Sequence, residues 1–175
     1  VLHEASASAT AGGRCHAVGY IDLDRFKIVN DTAGHAAGDM LLREVGRLLR
    51  EALRPNDVVA RFGGDEFAVL LYDCTLVEAE AVCQRAIDAI RVVRFPWEGK
   101  VYDIGASIGL TEIGPTSAPP DELMKQVDVA CYAAKAGGRN RVAAYSAEAG
   151  DALRYYQEIQ IAAGIRAAID EGRFK

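Results

Sequence analysis

The chain has 175 residues, half of them hydrophobic, and a formal net charge of −5. That size and apolar content suit one compact domain with a real core plus some extra chain, while the acidic balance argues against a nucleic-acid surface, where clustered Lys and Arg are expected. No apolar run approaches the roughly 18 residues of a membrane span, and no signal-peptide pattern opens the chain. The expectation is therefore a cytoplasmic segment without membrane contact, whatever anchors its parent protein.

In chain order, Val1 to Arg14, with ASASATAGG in the middle, reads as the frayed end of a helix followed by a loop. HAVGYIDLD, His16 to Asp24, is apolar until it stops at charge, as a central strand delivering its last residues to a site would. Asp22 and Asp24 are two apart and so share one face of that strand. The next segment opens a helix, leaving free N–H groups at Phe26 and Lys27 where phosphate oxygens could sit. From Met40 a helical stripe follows at Leu41, Val45, Leu48, Leu49 and Ala52, and Pro55 stops the helix.

DVVARFGGDEFAVLLY, Asp57 to Tyr72, reads as a β-hairpin, with Gly63 and Gly64 supplying the positive φ of a tight turn. Asp65 and Glu66 follow the turn. Acidic residues are depleted in strands, so this pair is either a solvated hairpin tip or a metal site, Mg²⁺ favouring hard oxygen ligands. If strand one lies beside the hairpin, Asp22 approaches Asp65 and Glu66, and three converging carboxylates repel unless cations sit between them.

Leu76, Ala79, Cys83, Ala86, Ile87 and Ile90 mark a second amphipathic helix over Thr75 to Val93. Phe95 to Gly99 breaks it, Trp97 is expected to cover the sheet edge, and Val101 to Thr111 alternates as a strand. A proline-rich loop leads to a helix from Asp121 that ends at Gly137-Gly138, flanked by Lys135 and Arg139, and Arg141 to Tyr145 closes the sheet. Beyond Ser146, Ile161, Ile165, Ala168 and Ile169 recur at helical spacing. The four cysteines lack metal-ligand spacing and read as reduced, half-buried filler. The order β-α-α-β-β-α-β-α-β is that of an α+β domain, an antiparallel-rich central sheet flanked by helices.

RFGGDEF resembles the signature of the GGDEF family of diguanylate cyclases. Three further blocks fall in order at family-like spacing: IDLDRFKIVND with GHAAGD beyond it, ASIGL, and VDVACYAAKAGGRNRV. The resemblance implies a ferredoxin-related fold like that of nucleotide cyclases and polymerase palms. It divides the chain into residues 1–13, a truncated N-terminal helix or linker without the family's usual DxLTGLxNR-like motif, a GGDEF domain over 14–146, and a linker helix over 147–175. That last part resembles the lead-in to an EAL phosphodiesterase domain, itself absent here, which suggests a GGDEF–EAL fusion.

The implied reaction condenses two GTP to cyclic dimeric GMP (cyclic di-GMP) and two pyrophosphates. It needs two GTP-loaded domains face to face, and hence a homodimer. The resemblance assigns two Mg²⁺, or Mn²⁺ in their place, to Asp22, the Leu23 carbonyl, Asp65 and Glu66, with Asp65 also assisting loss of the attacking 3′-hydroxyl proton. Asp24 reads more readily as a structural carboxylate than as a ligand. Lys27 would face the transferring phosphate, with the N–H groups of Phe26 and Lys27 beside it. Asn30 and Asp39, with His35 alongside, would recognise guanine, and Lys135 and Arg139 would hold the β and γ phosphates. Without the family, the last two could merely complement a helix C-terminus.

Arg54 and Asp57 form an RxxD element five residues before the double glycine. It resembles the family's product-inhibition site, with Arg85 as an additional arginine. Two alternatives belong to other classes: a catalytically silent GTP-binding module that controls the fused EAL domain, and a product receptor using only Arg54 and Asp57.

Overall fold

The computed structural model describes residues 1–148. The expected linker helix with Ile161, Ile165, Ala168 and Ile169, and the EAL lead-in, lie outside the described residues. The central strand is β1 (His16–Asp24), apolar along nearly its whole length, as a strand covered on both faces must be. It pairs antiparallel with β3 (Glu66–Leu71) on one side and β6 (Gly105–Ile113) on the other. β2 (Val58–Gly63) forms one edge, antiparallel to β3, and β7 (Arg141–Ala144) the other, parallel to β6. The sheet order is β2-β3-β1-β6-β7, and the chain is an α+β domain as expected.

The period-two alternation of β1 sorts the core into two. Ala17, Ile21 and Leu23 face helices α2 (Phe26–Ala33), α3 (His35–Ala52) and α4 (Leu76–Val92), among Val29, Leu41, Val45, Leu49, Ile87 and Ile90. Val18 faces the other way, with Leu123 and Val127 of α5 (Pro120–Ala136) and with Ala5 and Ala9 of α1 (Leu2–Gly12). α5 can lie close on β6 because position 109 is glycine. A Cβ there would overlap the Val127 carbonyl and the Cys131 N–H.

Several local expectations change. The N-terminal stretch is a regular helix, not a frayed one: Ala5 and Ala9 are fully buried, and Gly13 ends it at φ 60°. Val101 to Thr111 is not one strand. Phe95–Trp97 (β4) and Lys100–Tyr102 (β5) pair as a separate small hairpin across Glu98-Gly99, both at positive φ, and β6 starts afresh at Gly105. Trp97 stacks on Phe95 and packs against the main core. In the larger hairpin only Gly64 takes a positive φ (51°), because the turn is Gly64-Asp65 and Gly63 is already paired with Glu66. Three of the four cysteines are buried outright, and all are free thiols. Burial pushes the Cys74 thiol up to about 11 and the Cys83 and Cys131 thiols up to about 12.

Candidate active site

The C-terminal end of β1 carries the site. Asp22 and Glu66 are direct cross-strand partners, so their side chains leave the same face of adjacent strands. The Leu23 N–H donates to the Asp65 carbonyl at 3.2 Å, which ties the hairpin turn to the strand end. The turn itself is braced by Arg61, whose Nε and Nη2 donate to the Gly64 carbonyl at 3.0 and 2.8 Å. This brace is a second use of the signature that sequence reading did not single out.

Asp22 is half-buried, and its Oδ2 lies 2.6 Å from Nζ of Lys135. Burial pushes its pKa above the ordinary carboxylate value, the Lys135 ammonium opposes that rise, and the charges of Asp65 and Asp24 add to it. Burial alone would lower the Lys135 ammonium, but its hydrogen bond to Asp22 and the charge of that carboxylate outweigh it and hold it above its usual value. Glu66 in turn takes the hydroxyl of Tyr20, two residues before Asp22 on the same face. Burial first, then that bond and charge, push the Tyr20 phenol well above its ordinary range.

Asp24 is buried at 6 % exposure and saturated by structure. The Ser107 hydroxyl lies 2.9 and 3.1 Å from its two oxygens, the Asn140 backbone N–H donates to it at 2.9 Å, and Nε of Arg139 stands 3.9 Å away. It locks the α5–β7 turn onto β1, the structural role expected of it, through partners more than eighty residues distant in sequence.

Asp22, Asp65 and Glu66 are hard oxygen donors suited to Mg²⁺, and Asp22 already draws a cation, the Lys135 ammonium. Among the described residues no three His, Cys, Asp or Glu side chains form a ready ligand cage. Asp22, Asp65 and Glu66 are the residues that would hold a divalent ion here, with the Lys135 ammonium beside Asp22.

The other expected contacts surround this end. Arg25, in the left-handed region (φ 67°), turns the chain from β1 into α2, whose first N–H groups are those of Phe26 and Lys27. The Phe26 ring is buried and the Lys27 side chain exposed. Gly34 (φ 83°) separates α2 from α3, and Asn30 leans across the joint onto Gly38, where a Cβ would overlap its Oδ1. His35 and Asp39 are exposed on the first turns of α3 beside it. Lys135 and Arg139 thus reach the carboxylate end of β1, and Asn30, His35 and Asp39 cluster at the α2–α3 joint.

The RxxD pair stands apart, after α3. Asp57 is engaged by its own backbone surroundings, accepting from the Arg54 N–H at 3.0 Å and the Tyr72 N–H at 3.1 Å. The Arg54 side chain is exposed, and Arg85 is exposed on α4.

The family profile described as "Diguanylate cyclase, GGDEF domain" matches residues 1–141. The probable diguanylate cyclase DgcE of Escherichia coli (strain K12) is 53% identical over 130 residues, 74% of this chain and 12% of that protein. The cyclic di-GMP phosphodiesterase PdeB of Shewanella oneidensis is 36% identical over 132 residues, 75% of this chain and 15% of its own length. This chain thus spans only a small part of both relatives. Among solved structures, the GGDEF domain of DgcB from Caulobacter crescentus, determined in complex with c-di-GMP, superposes with a TM-score of 0.77 at 31% identity, covering 82% of this chain and 85% of that one. Its likeness bears out the palm-like fold, and with a profile match running from the first helix into the last strand, the chain belongs to the GGDEF domain family of diguanylate cyclases.

Proposed function

We propose that this domain condenses two GTP into cyclic dimeric GMP, each 3′-oxygen attacking the α-phosphorus of the other nucleotide and expelling pyrophosphate. The observation that carries the reading is the cross-strand pair Asp22 and Glu66, with Asp65 in the adjoining turn and a lysine ammonium drawn into the same place. Bound Mg²⁺ or Mn²⁺ would stabilise the attacking and leaving oxygens. Asp65 takes the proton from the 3′-hydroxyl. Asn30 and Asp39, with His35, orient guanine. Lys135 and Arg139, with the N–H groups of Phe26 and Lys27 and the Lys27 ammonium, hold the phosphates. One domain offers half a site, so a homodimer completes it.

Product is proposed to restrain the enzyme at Arg54, Asp57 and Arg85. The division into residues 1–13, 14–146 and 147–175, with an EAL domain following in the parent chain, belongs to the same proposal. The phosphodiesterase name of one relative favours a second reading, a silent GTP-binding module that tunes such a partner domain.

Incubation with GTP and Mg²⁺ at high protein concentration, with nucleotides separated by chromatography and Asp65→Ala as control, tests the two together. Cyclic dimeric GMP from the unaltered protein alone supports the cyclase. Tight GTP binding without product supports the regulatory module.

A further inference from the structure

Helix α3 and the edge strand β2 enclose a groove of about 460 Å³ on the far side of the hairpin from the carboxylates. Arg43, Arg47 and Arg50 enter it from α3, at i, i+4 and i+7, and Arg61 enters from β2; its floor is Val59 and the edge of Phe67. No carboxylate lines it, although the chain as a whole carries −5.

The charges are unequally used. Arg47 pairs with Glu44 and Glu51, and Arg61 is held by the Gly64 carbonyl. Arg43 and Arg50 are exposed and have no hydrogen-bond or ion-pair partner among the described residues. A second observation concerns the floor. Gly46 stands mid-helix, where glycine is unfavourable. No crowding demands it, since the nearest atom to an added Cβ is Phe67 Cε1 at 3.8 Å. What the missing side chain does is leave the groove open between the three guanidinia.

We infer that this groove binds a soluble ligand bearing a di- or triphosphate. The two unpaired arginines, Arg43 and Arg50, stand two turns apart on one face, roughly 10 Å along the helix, a spacing that matches a row of phosphates better than a single carboxylate. Guanidinium forks pair with phosphate oxygens in bidentate fashion. The volume lies in the range of small-ligand pockets. The shared chemistry is that of inorganic polyphosphate and of nucleotide tails, and the site is separate from the substrate phosphates proposed above.

The test is calorimetric titration of the full chain with sodium tripolyphosphate and, in parallel, with ADP. Arg43→Ala/Arg50→Ala should weaken tripolyphosphate binding at least tenfold. Gly46→Leu, which keeps every charge and removes a helix glycine, should do the same by filling the groove. Lys135→Ala should leave this binding in place. Tighter binding of ADP than of tripolyphosphate would identify a nucleotide as the ligand, and the reverse an inorganic chain. Unchanged affinity in Gly46→Leu would mean diffuse charge rather than a built groove and would overturn the inference, as would loss of all binding in Lys135→Ala alone, or binding of an acidic peptide but of neither phosphate probe.

Discussion

Lys135, in the last turn of α5, and Asp22, near the end of β1, form an ion pair at 2.6 Å in which neither side chain is more than about a third exposed. The pair joins the two groups for which different ligands are proposed above, a metal ion for Asp22 and a phosphate for Lys135. A divalent ion on Asp22 and a phosphate on Lys135, as proposed above, would each replace one half of the pair.

Lys135→Met, which keeps the apolar stem and removes the competing charge, should therefore bind Mn²⁺ several-fold more tightly in the absence of nucleotide, while its GTP affinity falls. Electron paramagnetic titration of free Mn²⁺ reads the first effect and equilibrium dialysis of GTP the second. Equal Mn²⁺ affinity in the two proteins would mean that Lys135 does not compete for Asp22.

Asp24 is buried and accepts from the Ser107 hydroxyl and the Asn140 N–H. Asp24→Ala would leave the buried Ser107 hydroxyl and the part-buried Asn140 N–H without an acceptor, at a cost of about 2–4 kcal/mol. It would also loosen the turn that carries Arg139. Urea unfolding should show the midpoint drop, and Asp24→Asn, which retains one acceptor oxygen, should lose less.

Two glycines should respond in opposite directions. Gly109→Ala drives a Cβ into the backbone of α5, where overpacking costs about 1–3 kcal/mol or more because backbone cannot step aside. Gly46→Ala meets only Phe67 Cε1 at 3.8 Å and should stabilise α3 by about 1 kcal/mol. Thermal melts of the two variants give the signs directly.

Within the RxxD element the two residues should separate by stability. Asp57 bonds the Arg54 and Tyr72 N–H groups, so Asp57→Ala should weaken product binding and lower stability by about 1–3 kcal/mol. The Arg54 side chain is exposed with no hydrogen-bond or salt-bridge partner among the described residues. Arg54→Ala should therefore lose cyclic dimeric GMP affinity at an unchanged melting temperature, and retained affinity would dismiss the inhibitory site.

Cys83 supplies a pH dependence. Burial, first, and then the neighbouring Cys74 and Asp57 raise its thiol from 9.0 to about 12. The folded state thus holds a proton that the unfolded chain releases above the ordinary thiol value. Its contribution to stability is fully present below pH 9 and declines as pH rises toward 12. In Cys83→Ala the fall in stability above pH 9 should be shallower than in the unaltered protein, by chemical denaturation at matched ionic strength.

Apart from the small β4–β5 hairpin, which escaped it, the sequence alone determined the order of the helices and of the five strands of the main sheet, the two carboxylates after the glycine turn, and the shared face of Asp22 and Asp24. Each of these rests on local chemistry: period two in a strand, period 3.6 in a helix, and the backbone freedom of glycine. It also carried the family, since four blocks in register are a property of the chain itself.

Tertiary structure alone decided who meets whom. Lys135 reaches Asp22 because Gly109 lets α5 settle against the sheet, and Ser107 and Asn140 find Asp24 across more than eighty residues. Arg61 turns back to its own hairpin, and Ala5 and Ala9 convert an expected frayed end into a packed helix. The physical reason is common to all of these: a charge or a small side chain carries no mark of its partner until packing sets the distance.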